Sequence, residues 1–188
     1  MAHIELPEDI PGIRGLLNVN PAAAIPMKQL AEVLLRGDST LTQIERELIA
    51  THVSRVNECE FCAKSHGSIV SYLAADDGAL VDAVRADLIS APLSPKMKLL
   101  LTIAEKVARN ARLVEAEDVE AAKREGATDL EVHDTVLIAG AFCLYNKYVD
   151  GLGAIEWDSD EMYEKRARMT ADEGYFSEMD YFDEMGRS

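Results

Sequence analysis

Apolar positions along this chain recur at helical spacing almost throughout. From residue 21 onward they fall three and four positions apart, and no segment alternates apolar and polar residues in the way a half-buried strand does. The long segment that begins near residue 128 is apolar on most sides, as expected for a helix in a core or an interface. We therefore predict an all-α fold of about seven to eight helices.

Capping residues, prolines and glycines predict where these helices begin and end. A helix over residues 21–35 ends before Gly37, and the next opens at Thr42, which forms a capping box with Glu45. A second capping box, Thr128 with Glu131, opens the long apolar helix. The other predicted helices are 78–89, 94–110 with Ser94 as cap, 115–125 and 159–171. Residues 1–20 contain Pro7, Pro11 and Gly12 and predict an extended lead-in.

A helix over about 57–75 carries the candidate chemistry. Asn57 followed by Glu60 resembles an N-cap with Glu at the third position, so we predict that this helix opens just ahead of two cysteines. Cys59, Cys62 and His66 then lie on one stripe of the helix. Two thiols at this spacing can close a disulfide, and a histidine one turn beyond can move the proton that thiol chemistry requires.

Glu47, twelve residues before Cys59, is the candidate second member of a proton relay. It precedes an apolar pair and could point toward the next helix, although a solvated helix face explains it equally well. The positive end of the helix dipole favours Cys59 as the more acidic thiol. The position of His66, one turn after Cys62, favours Cys62 instead, and we prefer this assignment because a base within reach decides which thiol is deprotonated.

Two other interpretations of the thiols remain. Cys59, Cys62 and His66 supply three of the four ligands of a zinc site, and His52, His133 and Cys143 are scattered candidates for the fourth. No second paired-ligand motif follows, so we predict no metal. Buried structural thiols are the simpler alternative, and Cys143, between two apolar residues, is interpreted in that way. His52 and His133 are interpreted as surface or interface histidines.

The charge of the chain excludes several classes of function. Its 188 residues carry a net charge of −15, which opposes binding to nucleic acid and gives no support for docking on anionic membranes. No segment is apolar over the ~18 to 20 residues that a membrane span needs, and the N-terminus lacks the features of a secretory signal. We expect a cytoplasmic protein that acts on a small molecule or a protein partner.

The C-terminal residues 156–188 differ from the rest in composition. They hold eleven acidic and four basic residues together with six aromatic ones, more than a solvated tail usually carries. We therefore divide the chain into a helical domain, residues 1–155, and an acidic aromatic tail, residues 156–188. We expect the tail to pack on its own or a neighbouring subunit.

The spacing Glu47-x11-Cys59-x2-Cys62-x3-His66, preceded by Ser54 and Asn57, resembles the signature of alkyl hydroperoxidase D-like (AhpD-like) proteins. These belong to the carboxymuconolactone decarboxylase superfamily, and the run 145–153 resembles its peroxidase-related branch. The resemblance covers roughly residues 10–155. It implies a repeated helical unit, assembly into homotrimers or homohexamers, and a thiol peroxidase without metal or organic cofactor. The implied substrate is hydrogen peroxide or an organic hydroperoxide, and an external dithiol or a protein reductant would restore the thiols.

The resemblance also implies roles for individual residues. Cys62 would be the peroxidatic thiol, Cys59 the resolving thiol, and His66 with Glu47 the proton relay. Phe61 stands where the best-known members have a histidine, so the relay is one member short. The alternatives are a dithiol–disulfide reductase or redox switch that acts on a protein partner, a lactone decarboxylase-like enzyme, and an oligomeric protein without catalytic activity.

Overall fold

Every regular element that the structure describes is a helix. The computed structural model describes residues 2–6 and 10–175, and in these ranges it contains nine α-helices, one short 3-10 helix and no strand. The α-helices are α1 Ile13–Leu17, α2 Pro21–Arg36, α3 Gln43–Val56, α4 Glu60–Ala74, α5 Ala79–Ala86, α6 Pro95–Asn110, α7 Ala116–Arg124, α8 Asp129–Gly151 and α9 Asp160–Glu173. The predicted all-α fold is confirmed. None of these helices combines the length and apolar character needed to cross a membrane.

Most predicted helix boundaries agree with the structure to within a few residues, because the capping chemistry is local. Thr42 with Glu45, and Thr128 with Glu131, form both bonds of the capping box. The hydroxyl of Ser94 accepts the backbone N–H of Met97 and caps α6. These contacts join residues three apart, so the sequence alone is sufficient to identify them.

Helix α1 corrects the predicted extended lead-in. Leu16 and Leu17 are almost completely buried, and the hydroxyl of Tyr148 donates a hydrogen bond of 3.0 Å to the carbonyl of Leu16. A five-residue helix is not stable by its own propensity. Tertiary burial therefore forms α1, which explains why local signals did not reveal it.

Helix α3 lies at the centre of the molecule and packs against α4, α6 and α8. Its buried Leu48 and Ile49 belong to the same apolar core as Leu100 of α6 and Ile138 of α8. A polar residue on this inner part of α3 is thus enclosed by other helices. This arrangement determines the surroundings of Glu47.

Helix α9 confirms the predicted helix near residues 159–171 and packs on α4 of the same chain. Ile69 of α4 contacts Ala167 and Ala171, and Tyr163 packs against the α4 segment that contains the cysteines. The tail up to Tyr175 therefore covers α4. Phe176, Tyr181 and Phe182, which belong to the predicted tail, lie outside the described residues.

Candidate active site at the start of α4

Cys59 is the N-cap of α4, two residues later than the sequence predicts. Asn57 instead ends α3, and Glu58 takes a positive φ of 61° in the turn between the helices. The side chain of Asn57 does not cap α4, because its amide donates to Oδ1 of Asn146 at 2.8 Å. The prediction that the helix opens at Asn57 is therefore wrong. Both cysteines lie at the N-terminal end of α4, so the helix dipole alone does not distinguish them.

Glu47 and His66 are brought together by the packing of α3 against α4. The carboxylate of Glu47 is fully buried, and its Oε2 lies 2.7 Å from Nδ1 of His66. Phe142 packs edge-on against the imidazole at a centroid distance of 4.6 Å. With Nδ1 donating to the carboxylate, the other ring nitrogen of His66 remains available to exchange a proton with a neighbouring group.

The environments of the two thiols push their pKa values apart. A hydrogen bond from the Cys59 thiol is the largest cause that lowers the pKa of Cys62; the positive charge of His66 and a hydrogen bond from Asn146 lower it further, against the effect of burial. The pKa of Cys59 is raised, first by this hydrogen bond to Cys62 and then by burial. Both cysteines are free thiols. Cys62 is therefore the one that ionises first.

A buried polar network holds the thiol side of the site. Asn146 of α8 has no exposed surface, and its amide donates to the hydroxyl of Ser54 at 3.0 Å. Its carbonyl accepts from Asn57 at 2.8 Å, so both ends of the Asn146 amide are hydrogen-bonded to the C-terminal part of α3. Sequence reasoning noted Ser54 and Asn57 beside the motif but missed the role of Asn146. An asparagine directly after the apolar run 136–145 of α8 was the available signal.

Tyr175 is a second residue that sequence reasoning missed. Its hydroxyl lies 2.8 Å from Oε1 of Glu47 and 3.3 Å from Nδ1 of His66. Burial and the nearby Glu47 carboxylate raise the pKa of Tyr175 well above its usual value, so the hydroxyl stays protonated and donates to the carboxylate. A contact between residues 128 positions apart leaves no local pattern, and only the aromatic composition of the tail suggested that it packs.

Cys62 and His66 line a cavity of about 120 Å³ with mainly apolar walls. Its aromatic wall consists of Phe61, Phe142, Tyr145, Trp157, Tyr163 and Tyr175. Phe61 contacts Trp157 and Tyr163 at centroid distances of 5.1 and 5.9 Å. A cavity of this kind accommodates a small organic molecule next to the Cys62 sulfur.

Three cationic side chains line the same cavity, namely Arg14, Lys28 and Arg166. Burial and then the proximity of the two arginines lower the pKa of Lys28 to about 8. Burial and then Arg14 lower the pKa of Arg166 to about 10. The cavity is thus lined by positively charged side chains as well as by aromatic ones.

The two other candidate histidines, His52 and His133, and the third cysteine lie elsewhere. His52 is partly buried with its Nε2 3.5 Å from Oε2 of Glu105, and His133 is exposed beside Asp134. Cys143 packs against the main core, where its sulfur is 3.5 Å from the amide of Asn57. None of the three lines the cavity. Within residues 2–6 and 10–175, no three His, Cys, Asp or Glu side chains are grouped so that they could hold a metal ion.

Comparisons with known proteins agree with this architecture. Residues 21–70, which contain Glu47, Cys59, Cys62 and His66, match the Carboxymuconolactone decarboxylase family. A search of curated proteins finds no match. A solved structure described as an alkylhydroperoxidase AhpD core, an uncharacterized peroxidase-related protein from Ralstonia eutropha JMP134, superposes with a TM-score of 0.78 at 23% identity and covers 89% of this chain and 96% of its own.

An uncharacterized peroxidase-related protein from Silicibacter sp. TM1040 superposes with a TM-score of 0.75 at 25% identity. It covers 85% of this chain and 81% of its own. Both comparisons span nearly the whole described part of the chain, whereas the family match is confined to α2, α3 and most of α4. The resemblance inferred from the cysteine motif is confirmed: residues 21–70 match the carboxymuconolactone decarboxylase family, and the fold is similar to that of AhpD-like, peroxidase-related proteins.

Proposed function

We propose that this protein is a two-cysteine thiol peroxidase that reduces hydrogen peroxide or small organic hydroperoxides. One observation carries the proposal. Cys62, the thiol with the lowered pKa, lines a small cavity beside the Glu47–His66 pair and is hydrogen-bonded to a second thiol. The descriptions of the two structural neighbours as peroxidase-related support the same reaction class.

The first step is attack of the Cys62 thiolate on the peroxide. An S–O bond forms as the O–O bond breaks, so that Cys62 becomes a sulfenic acid and the peroxide leaves as an alkoxide or hydroxide. His66 supplies the proton that converts this leaving group to an alcohol or water. The buried Glu47 carboxylate orients the imidazole and stabilises its charged form.

Cys59 completes the cycle as the resolving thiol. Its sulfur attacks the sulfenic acid, water leaves and a Cys59–Cys62 disulfide forms. The raised pKa of Cys59 arises first from its hydrogen bond to Cys62. This cause disappears once Cys62 is oxidised, so Cys59 becomes easier to deprotonate when it is needed. An external dithiol then reduces the disulfide by exchange and is itself oxidised, which suits a reducing compartment such as the cytoplasm.

The burial of the thiols favours small reactants. Cys59 has no exposed surface and Cys62 is 4% exposed behind the aromatic wall. Thiol–disulfide exchange requires access to a sulfur atom, so a folded protein is a poor direct substrate or reductant for this conformation. A lactone decarboxylase-like activity would need neither cysteine. The peroxide-consumption experiment described next separates it from the peroxidase.

The experiment measures the consumption of hydrogen peroxide and cumene hydroperoxide with dithiothreitol as reductant. We expect Cys62→Ser to abolish turnover and Cys143→Ser, the matched control, to leave it unchanged, because Cys143 does not line the cavity. Equal peroxide consumption by wild type and Cys62→Ser would reject the proposal. A wild type that reduces a disulfide substrate but no peroxide would favour the reductase alternative.

A further inference from the structure

The C-terminal segment places the hydroxyl of Tyr175 against the buried end of the Glu47–His66 pair. Oε2 of Glu47 faces Nδ1 of His66 at 2.7 Å, and Oε1 faces the hydroxyl of Tyr175 at 2.8 Å. The two donors therefore occupy different oxygens of one carboxylate that has no exposed surface. The Tyr175 ring is also stacked on His66 at a centroid distance of 6.2 Å.

Two charged residues of α2 hold Tyr175 in this position. The carboxylate of Glu32 accepts the backbone N–H of Tyr175 at 2.7 Å. Arg36 donates to the carbonyls of Thr170 and Ala171 at 3.0 and 2.6 Å, which ties the last turn of α9 to α2. Arg36 and Glu32 also pair with each other at 3.3 Å. The backbone on both sides of Gly174 is thus fixed before the tyrosine ring enters the site.

We propose that Tyr175 is a positioning residue of the proton relay: its hydroxyl holds the Glu47 carboxylate oriented toward His66. This inference rests on the proposed function, because it concerns the same relay. Phe61 stands between the cysteines, where the best-known family members have a histidine, so the relay lacks that polar side chain. Tyr175 provides a polar partner from the opposite end of the chain.

The physical reason is the cost of leaving a buried carboxylate with too few donors. A hydrogen bond to a charged group contributes more than one between neutral groups, and its loss in a buried site is expensive. Without the hydroxyl, Oε1 of Glu47 loses its donor, and the carboxylate is no longer held in the orientation that places Oε2 on His66. The charge of His66 then lies less often where it acts on Cys62. Since this charge helps to lower the pKa of Cys62, the thiolate becomes less abundant.

The test follows the rate at which iodoacetamide alkylates Cys62 as a function of pH, with the labelled cysteine assigned by fragment mass spectrometry. For Tyr175→Phe, which keeps the ring, we expect the profile to move to higher pH by about one unit, so that alkylation near neutral pH slows by about tenfold. Tyr72→Phe is the matched control, because the Tyr72 hydroxyl contacts the Asp172 carboxylate of α9 at 3.2 Å outside the site. It should leave the profile unchanged.

A double-mutant cycle separates positioning from general damage. If Tyr175 acts through Glu47, Tyr175→Phe should have no further effect in a Glu47→Gln background. An unshifted profile for Tyr175→Phe overturns the inference, as does an equal shift in both backgrounds, which indicates a structural effect alone. Alkylation needs no peroxide, so these outcomes are distinct from a wild type that fails to reduce peroxide, which would reject the proposed function instead.

Discussion

Cys59 and Cys62 are neighbours on one helix turn, yet only one of them is favoured as a thiolate. The hydrogen bond between them acts in opposite directions, lowering the pKa of Cys62 and raising that of Cys59. His66 and Asn146 add to the difference, since both favour the charged form of Cys62. The roles proposed for the two thiols therefore depend on donors around Cys62 rather than on the helix terminus that both share.

The first prediction compares Cys59→Ser with Cys59→Ala, which differ in whether residue 59 can donate a hydrogen bond to Cys62. Cys59→Ser and Cys59→Ala both lack the resolving thiol, so each should react once with peroxide and stop at a Cys62 sulfenic acid. Serine can still donate to the Cys62 thiolate and alanine cannot, so only Cys59→Ala should also raise the pKa of Cys62. Near neutral pH this slows the single reaction by about tenfold relative to Cys59→Ser.

Stopped-flow kinetics over a pH series, with a sulfenic acid trapping reagent, measure both effects. A trapped sulfenic acid on Cys59 in a Cys62→Ser protein, formed as fast as on Cys62 in Cys59→Ser, would reverse the proposed roles. Equal rates for the two Cys59 variants would show that the hydrogen bond does not control the pKa of Cys62.

The candidate residues that the sequence identified are those with local spacing. Cys59, Cys62 and His66 form a motif within eight residues, and Glu47 lies on the preceding helix. Asn146 and Tyr175 reach the same site from 80 or more positions away along the chain. Their roles depend on how α8 packs on α3 and how α9 packs on α4, which no pattern in a single sequence specifies.

At the scale of helices, the boundaries predicted correctly are those set by contacts between residues close in sequence. The wrong ones depend on contacts with distant residues. Side-chain caps such as Thr42 and Thr128 were predicted correctly because donor and acceptor lie three residues apart. Asn57 was misassigned as a cap because its amide bonds to Asn146 of a distant helix. Tertiary contacts also create α1, whose buried leucines compensate for its short length.

The second prediction concerns the turn that ends α9. Gly174 has a φ of 91° with extended ψ, a conformation that essentially only glycine adopts, and a Cβ there would lie 2.8 Å from Oε2 of Glu32. Gly174→Ala should lower the free energy of unfolding by about 1 to 3 kcal/mol. It should also slow peroxide turnover, because it displaces the backbone that carries Tyr175.

Urea unfolding and turnover of the same protein samples measure the two effects. Gly151→Ala at the end of α8 is the control, since a Cβ there meets no atom of the described structure within 4 Å. It should leave both quantities nearly unchanged. If Gly174→Ala behaved like Gly151→Ala, the tail would not need this turn in order to reach the site.

At the scale of the whole molecule, α8 presents an apolar stripe to the surface. Leu130, Leu137 and Leu144 recur every seven positions and are 53%, 41% and 51% exposed. Residues with this spacing share one helix face. Assembly into a homotrimer or homohexamer, implied by the family resemblance, remains a prediction. We expect the subunits to contact each other through this stripe.

The third prediction follows from this placement. Leu137→Glu should shift the protein toward the monomer, because a charge in the centre of an apolar interface is costly to bury. Ile89→Glu is the control, since Ile89 is 82% exposed but lies on the loop between α5 and α6. Light scattering at micromolar concentration measures the mass of each protein. A monomeric wild type would contradict the predicted assembly.

In the proposed function, Cys62 and Cys59 together carry one peroxide-reducing cycle. The most direct measurement follows the fully reduced protein after addition of a limiting amount of hydrogen peroxide without any reductant, with peroxide and free thiols quantified together. We expect two thiols to be lost for each peroxide consumed, and mass mapping to find a Cys59–Cys62 disulfide with Cys143 still reduced. Peroxide that persists while both thiols remain free, or a disulfide that includes Cys143, would contradict this expectation.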